Sequence, residues 1–290
     1  MSSVCAIVVT YNRKQLLREC LAAIAGQSRP PERILVVDNA SSDGTPAMLK
    51  DDFADVELLA LSTNEGGAGG FHEGIKQAHA EGADWMWVMD DDTIPEPDAL
   101  AELLAAPERL GTASPPALLA SRVVWRDGRA HPMNAPWPER TRVERVIDGA
   151  ERGLLPLRFA TFVSLLVHRG TVDRHGLPLK NFFIWSDDVE YTSRALLGGD
   201  LAYLVPTSVA VHKTERPHFF LSAPPDRFYY HVRNTLFIAR LRGRGRRDRV
   251  VRVFILVTTV FQYLRRDPSA AGAAAILRGL RDGLTSPPAG

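Results

Sequence analysis

Short apolar runs alternating with stretches of helical spacing constrain the first hundred residues to a layered α/β fold. Val4–Thr10 (VCAIVVT), Ile34–Asp38 (ILVVD), Val56–Leu61 and Trp85–Asp90 (WMWVMD) are nearly continuous in apolar residues. That pattern marks strands covered on both faces. Between them, Lys14–Ala25 places Leu16, Leu17, Leu21 and Ile24 at helical spacing. Thr45–Phe53 reads as a short helix after the turn Ser41-Ser42-Asp43-Gly44, and Gly67–Glu81 as a helix opened by glycines. This rhythm implies a mostly parallel central sheet with right-handed crossovers, in which ligands bind beyond the carboxyl ends of the strands. Asp38 and Asp90 both stand at such ends.

The rest of the chain is less regular. A length of 290 residues suits one main α/β domain with an appended C-terminal piece. Residues 110–157 hold a Pro-rich patch at Pro132–Pro138 and predict loops with a strand or two. Phe159–Val167 predicts one strand, Asp187–Leu197 a helix, and Ala202–Val205 and Val209–His212 two further strands. From Phe228 the pattern turns helical and basic. The net charge of +1 argues against nucleic acid as the main partner. Cys5 and Cys20 lack metal-ligand spacing and read as buried thiols in a reducing compartment, the cytosol. No signal peptide is expected, and no segment reaches the ~20 apolar residues that span a bilayer.

Four groups of residues carry chemistry. Asp90-Asp91-Asp92 closes an apolar strand. Three adjacent carboxylates repel, and a fold tolerates them mainly when a cation or a set of donors offsets the charge. In an extended segment Asp90 and Asp92 share a face and can address one ion. Oxygen ligands suit Mg²⁺ or Mn²⁺ bound together with a diphosphate. The competing interpretation is a solvated acidic turn before a helix near Pro97. Asn64-Glu65-Gly66-Gly67-Ala68-Gly69-Gly70 lies between a strand and a helix. Its glycines let backbone approach a ligand, and the helix start offers N–H groups to negative charge. It matches neither the P-loop nor the dinucleotide fingerprint. Trp185-Ser186-Asp187-Asp188-Val189-Glu190 either complements a helix N-terminus or supplies a general base for a sugar hydroxyl. Asp188 is then the base, with Asp187 or Glu190 holding acceptor hydroxyls. His212 ends an apolar run, where a lone histidine is more often structural; beside Asp90 and Asp92 it completes a mixed N/O site.

Taken in order, Val8–Arg13, Val36–Thr45, Asn64–Gly70, Asp90–Asp92 and Asp187–Glu190 resemble the inverting glycosyltransferases of family 2, which have the GT-A fold. The glycine loop and acid triplet are most similar to bacterial galactofuranosyltransferases and rhamnosyltransferases that build cell-envelope polysaccharides. The resemblance implies a catalytic domain over residues 1–222, with a nucleotide-binding half at 1–105 and an acceptor half at 106–222, followed by a helical C-terminal region at 223–290. It implies that Thr10, Tyr11 and Arg13 line the nucleotide pocket, that Asp38 hydrogen-bonds the base with Asn39 nearby, and that Asn64, Gly66 and Gly67 contact nucleotide or donor sugar. Asp90, Asp92 and His212 are then the metal ligands, Asp91 stands beside the donor, Asp188 is the catalytic base with Asp187, and Trp185 and Glu190 face the acceptor. Ser186 departs from the family, where many relatives have Gly or Trp, and this bears on acceptor specificity. The implied donor is UDP-galactofuranose, with dTDP-rhamnose second, and the implied acceptor is polyprenyl-linked or polysaccharide.

The arginine-rich segment Arg240–Arg249 leads into the apolar run Val250–Leu264. That run suits either a core helix or an in-plane helix whose arginines meet anionic headgroups on the inner face of the membrane. Phe228-Tyr229-Tyr230-His231-Val232-Arg233-Asn234 also resembles a segment of these relatives, with no role evident from the residues alone. Two other classes compete: a nucleotide-sugar nucleotidyltransferase, which usually has a basic Gly-rich loop where this chain has Tyr11-Asn12-Arg13, and a non-catalytic nucleotide-sugar-binding protein, which has no use for Asp187-Asp188.

Overall fold

A computed structural model describes residues 2–112, 114–215, 220–241 and 245–286. The sequence expectations for residues 242–244 and for the tail 287–290 lie outside these described residues.

The first half folds as the apolar runs dictate. Strands β1 (Val4–Thr10), β2 (Arg33–Asp38), β3 (Glu57–Ala60) and β4 (Trp85–Asp90) pair in parallel in the order β3-β2-β1-β4. Alternation along β1 builds two cores. Val4, Ala6 and Val8 face Leu17, Leu21 and Ile24 of helix α1 (Lys14–Ala25) and Met48 and Leu49 of α2 (Thr45–Asp52). Cys5, Ile7 and Val9 face Phe71, Ile75 and Ala78 of α3 (Gly66–Ala80). Burial on both faces is why these strands read as unbroken apolar runs. Cys5 and Cys20 are both free and buried, in opposite cores.

The second half extends the same sheet. Strand β5 (Thr93–Pro95) and helix α4 (Ala99–Leu110) follow β4, and β6 (Leu118–Val124), the short β7 (Trp137–Pro138), α5 (Val143–Glu151), β8 (Leu155–Phe159), β9 (Leu165–His168), α6 (Arg169–His175), α7 (Asp187–Leu197) and β10 (Ala202–His212) complete it. The sheet runs β3-β2-β1-β4-β9-β6-β10-β8-β7, with β5 on the end of β10. Strand β9 inserts antiparallel between β4 and β6, so it joins the two halves.

Three expectations change. The single strand over Phe159–Val167 is two, because the chain turns between β8 and β9 and the two pair with different neighbours. The two strands before His212 are one, with a register shift between Val205 and Val209 at Pro206, a residue that cannot donate to a ladder. Helix α5 went unforeseen because Val143 and Ile147 face solvent; it packs through Gly149, where a Cβ would meet Pro156 Cδ at 2.8 Å.

Helices α8 (Pro225–Ala239), α9 (Arg246–Arg266) and α10 (Ala270–Thr285) form the C-terminal unit. Helix α9 buries only part of its apolar content, Leu256 and Tyr263 joining a core with α8 and α10. Leu256, Thr259 and Tyr263 point inward, while Val250, Val253, Phe254, Val257 and Phe261 form an exposed stripe, with Phe254 67% exposed. Among the described residues no helix is long and apolar enough to cross a membrane.

Candidate active site

Strand β4 carries Asp90 to the carboxyl edge of the sheet, and the Asp91 N–H donates to Val9 O at 3.2 Å to steer the chain onward. The chain then doubles back as β5 against β10, which sets Thr93 opposite His212. Ligand atoms of Asp90, Asp92 and His212 thereby lie within 4.8 Å of one another. The acid triplet is folded into the protein, not displayed as a solvated turn: Asp91 and Asp92 are buried.

The electrostatics of this corner are unbalanced. Burial pushes the Asp90 carboxyl well above the ordinary range, the charges of Asp92 and Asp91 push it further, and Asp187 adds to them against the pull of Arg13. Burial likewise raises Asp91 to about 6. Arg13 Nη1 reaches Asp91 Oδ1 at 3.2 Å and Asp92 Oδ2 at 2.9 Å, and Thr10 Oγ1 donates to Asp91 Oδ2 at 2.8 Å. Burial also presses Asp92 upward, but His212 and Arg13 outweigh it and hold the group below the ordinary value.

His212 Nε2 lies 3.1 Å from Asp92 Oδ1, yet this oxygen is buried and has no hydrogen bond among the described residues. On the other side of the ring, Nδ1 meets Asn134 Oδ1 at 2.8 Å. An amide oxygen only accepts, so Nδ1 carries a proton. Nε2 then faces the Asp92 carboxylate at 3.1 Å with its lone pair, an arrangement that suits a cation beside them. Two carboxylates, an imidazole with its outer nitrogen anchored, and a buried carboxylate oxygen without a donor fit a divalent cation such as Mn²⁺ or Mg²⁺.

The loops beside this corner are tied to one another. Both oxygens of buried Asp38 accept from the Ser41 N–H at 3.2 Å, and Asn12 Oδ1 accepts from the Ser42 N–H at 2.7 Å. Asn39 Oδ1 accepts from the Glu65 N–H at 3.2 Å, and Asn64 Oδ1 from the Gly66 N–H at 2.8 Å. Tyr11 is exposed.

Two of the glycines make room within the protein itself. A Cβ at Gly66, whose φ is +72°, would sit 2.0 Å from Phe183 O; one at Gly70 would sit 2.5 Å from Val9 Cγ1. The close approach is to the protein's own backbone and to β1. At Gly67 the nearest atom is Phe71 Cε2 at 4.0 Å, so packing does not demand glycine there.

Helix α7 begins at Asp187 after Ser186, which has a φ of +68°. Asp187 is 7% exposed, and burial, followed by the charge of Asp188, raises it to about 8. Asp188 is partly exposed. Burial raises it to about 6, against the N–H groups of Val189 and Phe162 that favour its ionised form. Both carboxyls are thus pushed toward the protonated form, Asp187 more strongly than Asp188.

Residues 5–160 match the family described as Glycosyl transferase family 2. The chain belongs to that family. It is 29% identical over 279 residues to the galactofuranosyltransferase GlfT1 of Mycobacterium tuberculosis, covering 92% of this chain and 91% of that one. It is 26% identical over 266 residues to the N-acetylglucosaminyl-diphospho-decaprenol L-rhamnosyltransferase of the same species, covering 82% and 84%. The crystal structure of S. aureus TarS superposes with a TM-score of 0.65 at 16% identity, over 97% of this chain and 48% of that chain. The chain thus spans about half of TarS. The sheet and helices described above are the GT-A arrangement of a family 2 glycosyltransferase.

Within this family 2 fold, Thr10, Arg13, Asp90, Asp91, Asp92 and His212 meet at one corner, and Asp187 lies within electrostatic range of it. Glu190 is buried, and Arg194 engages both its oxygens, at 2.8 and 3.1 Å. Arg194 in turn donates to the carbonyls of His175 and Leu177, so Glu190 braces α7 against α6. Asn134, which orients His212, was missed. It lies in an irregular Pro-rich stretch, and only the folded chain brings it to β10.

Proposed function

We propose that this glycosyltransferase moves a sugar from a nucleoside diphosphate donor to a hydroxyl of a cell-envelope glycan, with inversion at the anomeric carbon. The reading is carried by one observation: ligand atoms of Asp90, Asp92 and His212 gather within 4.8 Å of one another beyond the strand ends, and the charge of Asp187, next to Asp188 in the chain, reaches Asp90. Asp90, Asp92 and His212 would hold a Mn²⁺ or Mg²⁺ ion, which would neutralise charge building on the departing diphosphate. Asp188, ionised and partly exposed, takes the proton of the acceptor hydroxyl as that oxygen attacks the anomeric carbon from the face opposite the diphosphate. A single displacement inverts configuration and needs no protein nucleophile. Burial favours the neutral form of Asp187 and so lessens the charge beside Asp188. Arg13 adds cationic charge beside the phosphates, Thr10, Tyr11, Asp38 and Asn39 form the nucleotide side, and Asn64, Gly66, Gly67 and Asp91 the donor-sugar side. Trp185 borders the acceptor.

UDP-galactofuranose is the proposed donor, supported by the similarity to GlfT1 along nearly the whole chain. The lower similarity to the L-rhamnosyltransferase makes dTDP-rhamnose the competing donor. The fold likeness to residues 1–349 of TarS in complex with UDP-GlcNAc, at a TM-score of 0.62, suits a uridine diphosphate sugar. The acceptor is a polyprenyl-linked or polysaccharide glycan at the inner face of the cell membrane. Support for the membrane contact comes from the apolar stripe of α9, flanked by Arg246, Arg247, Arg249, Arg265 and Arg266. Such a helix lies in the plane of an anionic interface.

The test is a transfer assay with each donor, Mn²⁺ and a polyprenyl-diphosphate glycan, run beside Asp188→Asn. Transfer from one donor by wild type, and none by a variant that still binds UDP, is the expected result. Neither transfer nor donor hydrolysis by wild type would leave only a binding protein, and near-normal turnover in the variant would remove Asp188 from its role.

A further inference from the structure

The segment leading into α7 follows a path that its own residues do not favour. Phe183, Trp185 and Ser186 are non-glycine residues with φ of +63°, +64° and +68°. Positive φ is disfavoured in such residues, so contacts from outside the segment must hold this path.

Those contacts converge on one side chain of α8. Asn234 is fully buried, and its Nδ2 lies 3.0 Å from Phe182 O, 2.9 Å from Ile184 O and 2.8 Å from Trp185 O. Its Oδ1 accepts from Arg233 Nε at 3.0 Å, which fixes the way the amide faces. Arg233 also donates through Nη2 to Phe182 O at 3.0 Å and to Asn181 O. Its guanidinium stands over the rings of Tyr230 and Phe237 at 4.9 and 5.2 Å, which limits its freedom to leave. The Ala68 N–H also donates to Phe183 O at 3.1 Å, and Lys180 pairs with Glu65 and Glu73.

We propose that Asn234, braced by Arg233, is a positioning residue for Asp188: it gathers the carbonyls of Phe182, Ile184 and Trp185 and so fixes where α7 starts. The inference rests on the reading of Asp188 as the proton acceptor. Three carbonyl oxygens brought together repel unless a donor lies between them. An amide supplies two N–H groups there, and neither a carboxylate nor an aliphatic side chain supplies any. Because α7 starts at the next residues, a shift of the gathered carbonyls is passed to the carboxylate of Asp188. Displacement of a reacting group by about 1 Å costs on the order of 100-fold in rate. The aromatic-basic run Phe228–Asn234 thereby gains a role, and α8 is part of the catalytic unit.

The experiment uses the full chain with Asn234→Ala, Asn234→Ser and, alongside, Asp188→Asn. Transfer kcat, donor KM and UDP affinity in Mn²⁺ are measured on each. Asn234→Ala is expected to lower kcat about 30-fold or more with donor KM and UDP affinity within about threefold of wild type. Asn234→Ser, which keeps one donor, is expected to fall between the two. If the alanine variant does not fold, the serine variant decides on the same criteria. Unchanged kcat in a folded variant overturns the proposal, as does a parallel loss of kcat, donor KM and UDP affinity, the mark of general loosening. Loss of transfer in Asp188→Asn with no effect at Asn234 discards the clamp alone. Normal turnover in Asp188→Asn discards the base itself.

Discussion

Replacing Asp187 by asparagine should make the metal-free protein markedly more stable at pH 8 and much less so near pH 4.5. Asp187 is raised from 3.8 to about 8, first by burial and then by the Asp188 charge. Between those values the folded state holds a proton that the unfolded chain has released. The raised group therefore costs stability as pH rises, at up to ~1.4 kcal/mol per pH unit, until the pH passes the folded value. Across the window this sums to an upper bound on the order of 5 kcal/mol, and sharing of charge with Asp188 reduces it to roughly 2–4 kcal/mol. Asparagine keeps the shape and never ionises, so the variant lacks this slope. At about 2–3 °C per kcal/mol for a chain of this size, the melting temperature at pH 8 should rise by roughly 5–10 °C. Thermal unfolding in EDTA at pH 8 and pH 4.5 measures it. A variant that is destabilised, or shifted equally at both pH values, refutes the assignment of the proton to Asp187.

The transfer rate of wild type should fall as pH drops through about 6, approaching tenfold per unit below it, because only ionised Asp188 accepts the hydroxyl proton; a kcat–pH profile checks this. Gly66→Ala should cost several kcal/mol, roughly 3 or more, since its Cβ would stand 2.0 Å from Phe183 O at a φ of +72°, whereas Gly67→Ala should fold normally; denaturant unfolding compares the two. Phe254→Asp should abolish flotation with anionic vesicles at low salt and leave transfer to a soluble acceptor intact, because Phe254 lies in the exposed stripe of α9.

Legibility followed the range of the interactions. Strands β1, β2 and β4 were readable because burial on both faces writes an unbroken apolar run, and α1 because one side of it is wet. Strand β9 owes its place to β4 and β6, partners distant in sequence, and no local pattern announces that. The acid triplet could be found from its position after a buried strand. Its neighbours could not: Asn134 reaches His212, and Asn234 reaches the Phe182–Trp185 carbonyls, only through the folded chain. The glycine loop was visible, but composition does not distinguish room for a ligand from room for Phe183. Asp187, Asp188 and Glu190 look alike as three acids at a helix start, and only Arg194 separates the last from the pair. The apolar content of α9 gave no sign that most of it faces outward.

Titration of Mn²⁺ into the metal-free enzyme in the presence of UDP, followed by the loss of the free-ion EPR signal, tests the metal corner most directly. One ion taken up per chain by wild type, weaker uptake in His212→Ala and little in Asp92→Asn is the predicted result. Free Mn²⁺ throughout the titration, with UDP bound equally well in EDTA, would contradict it.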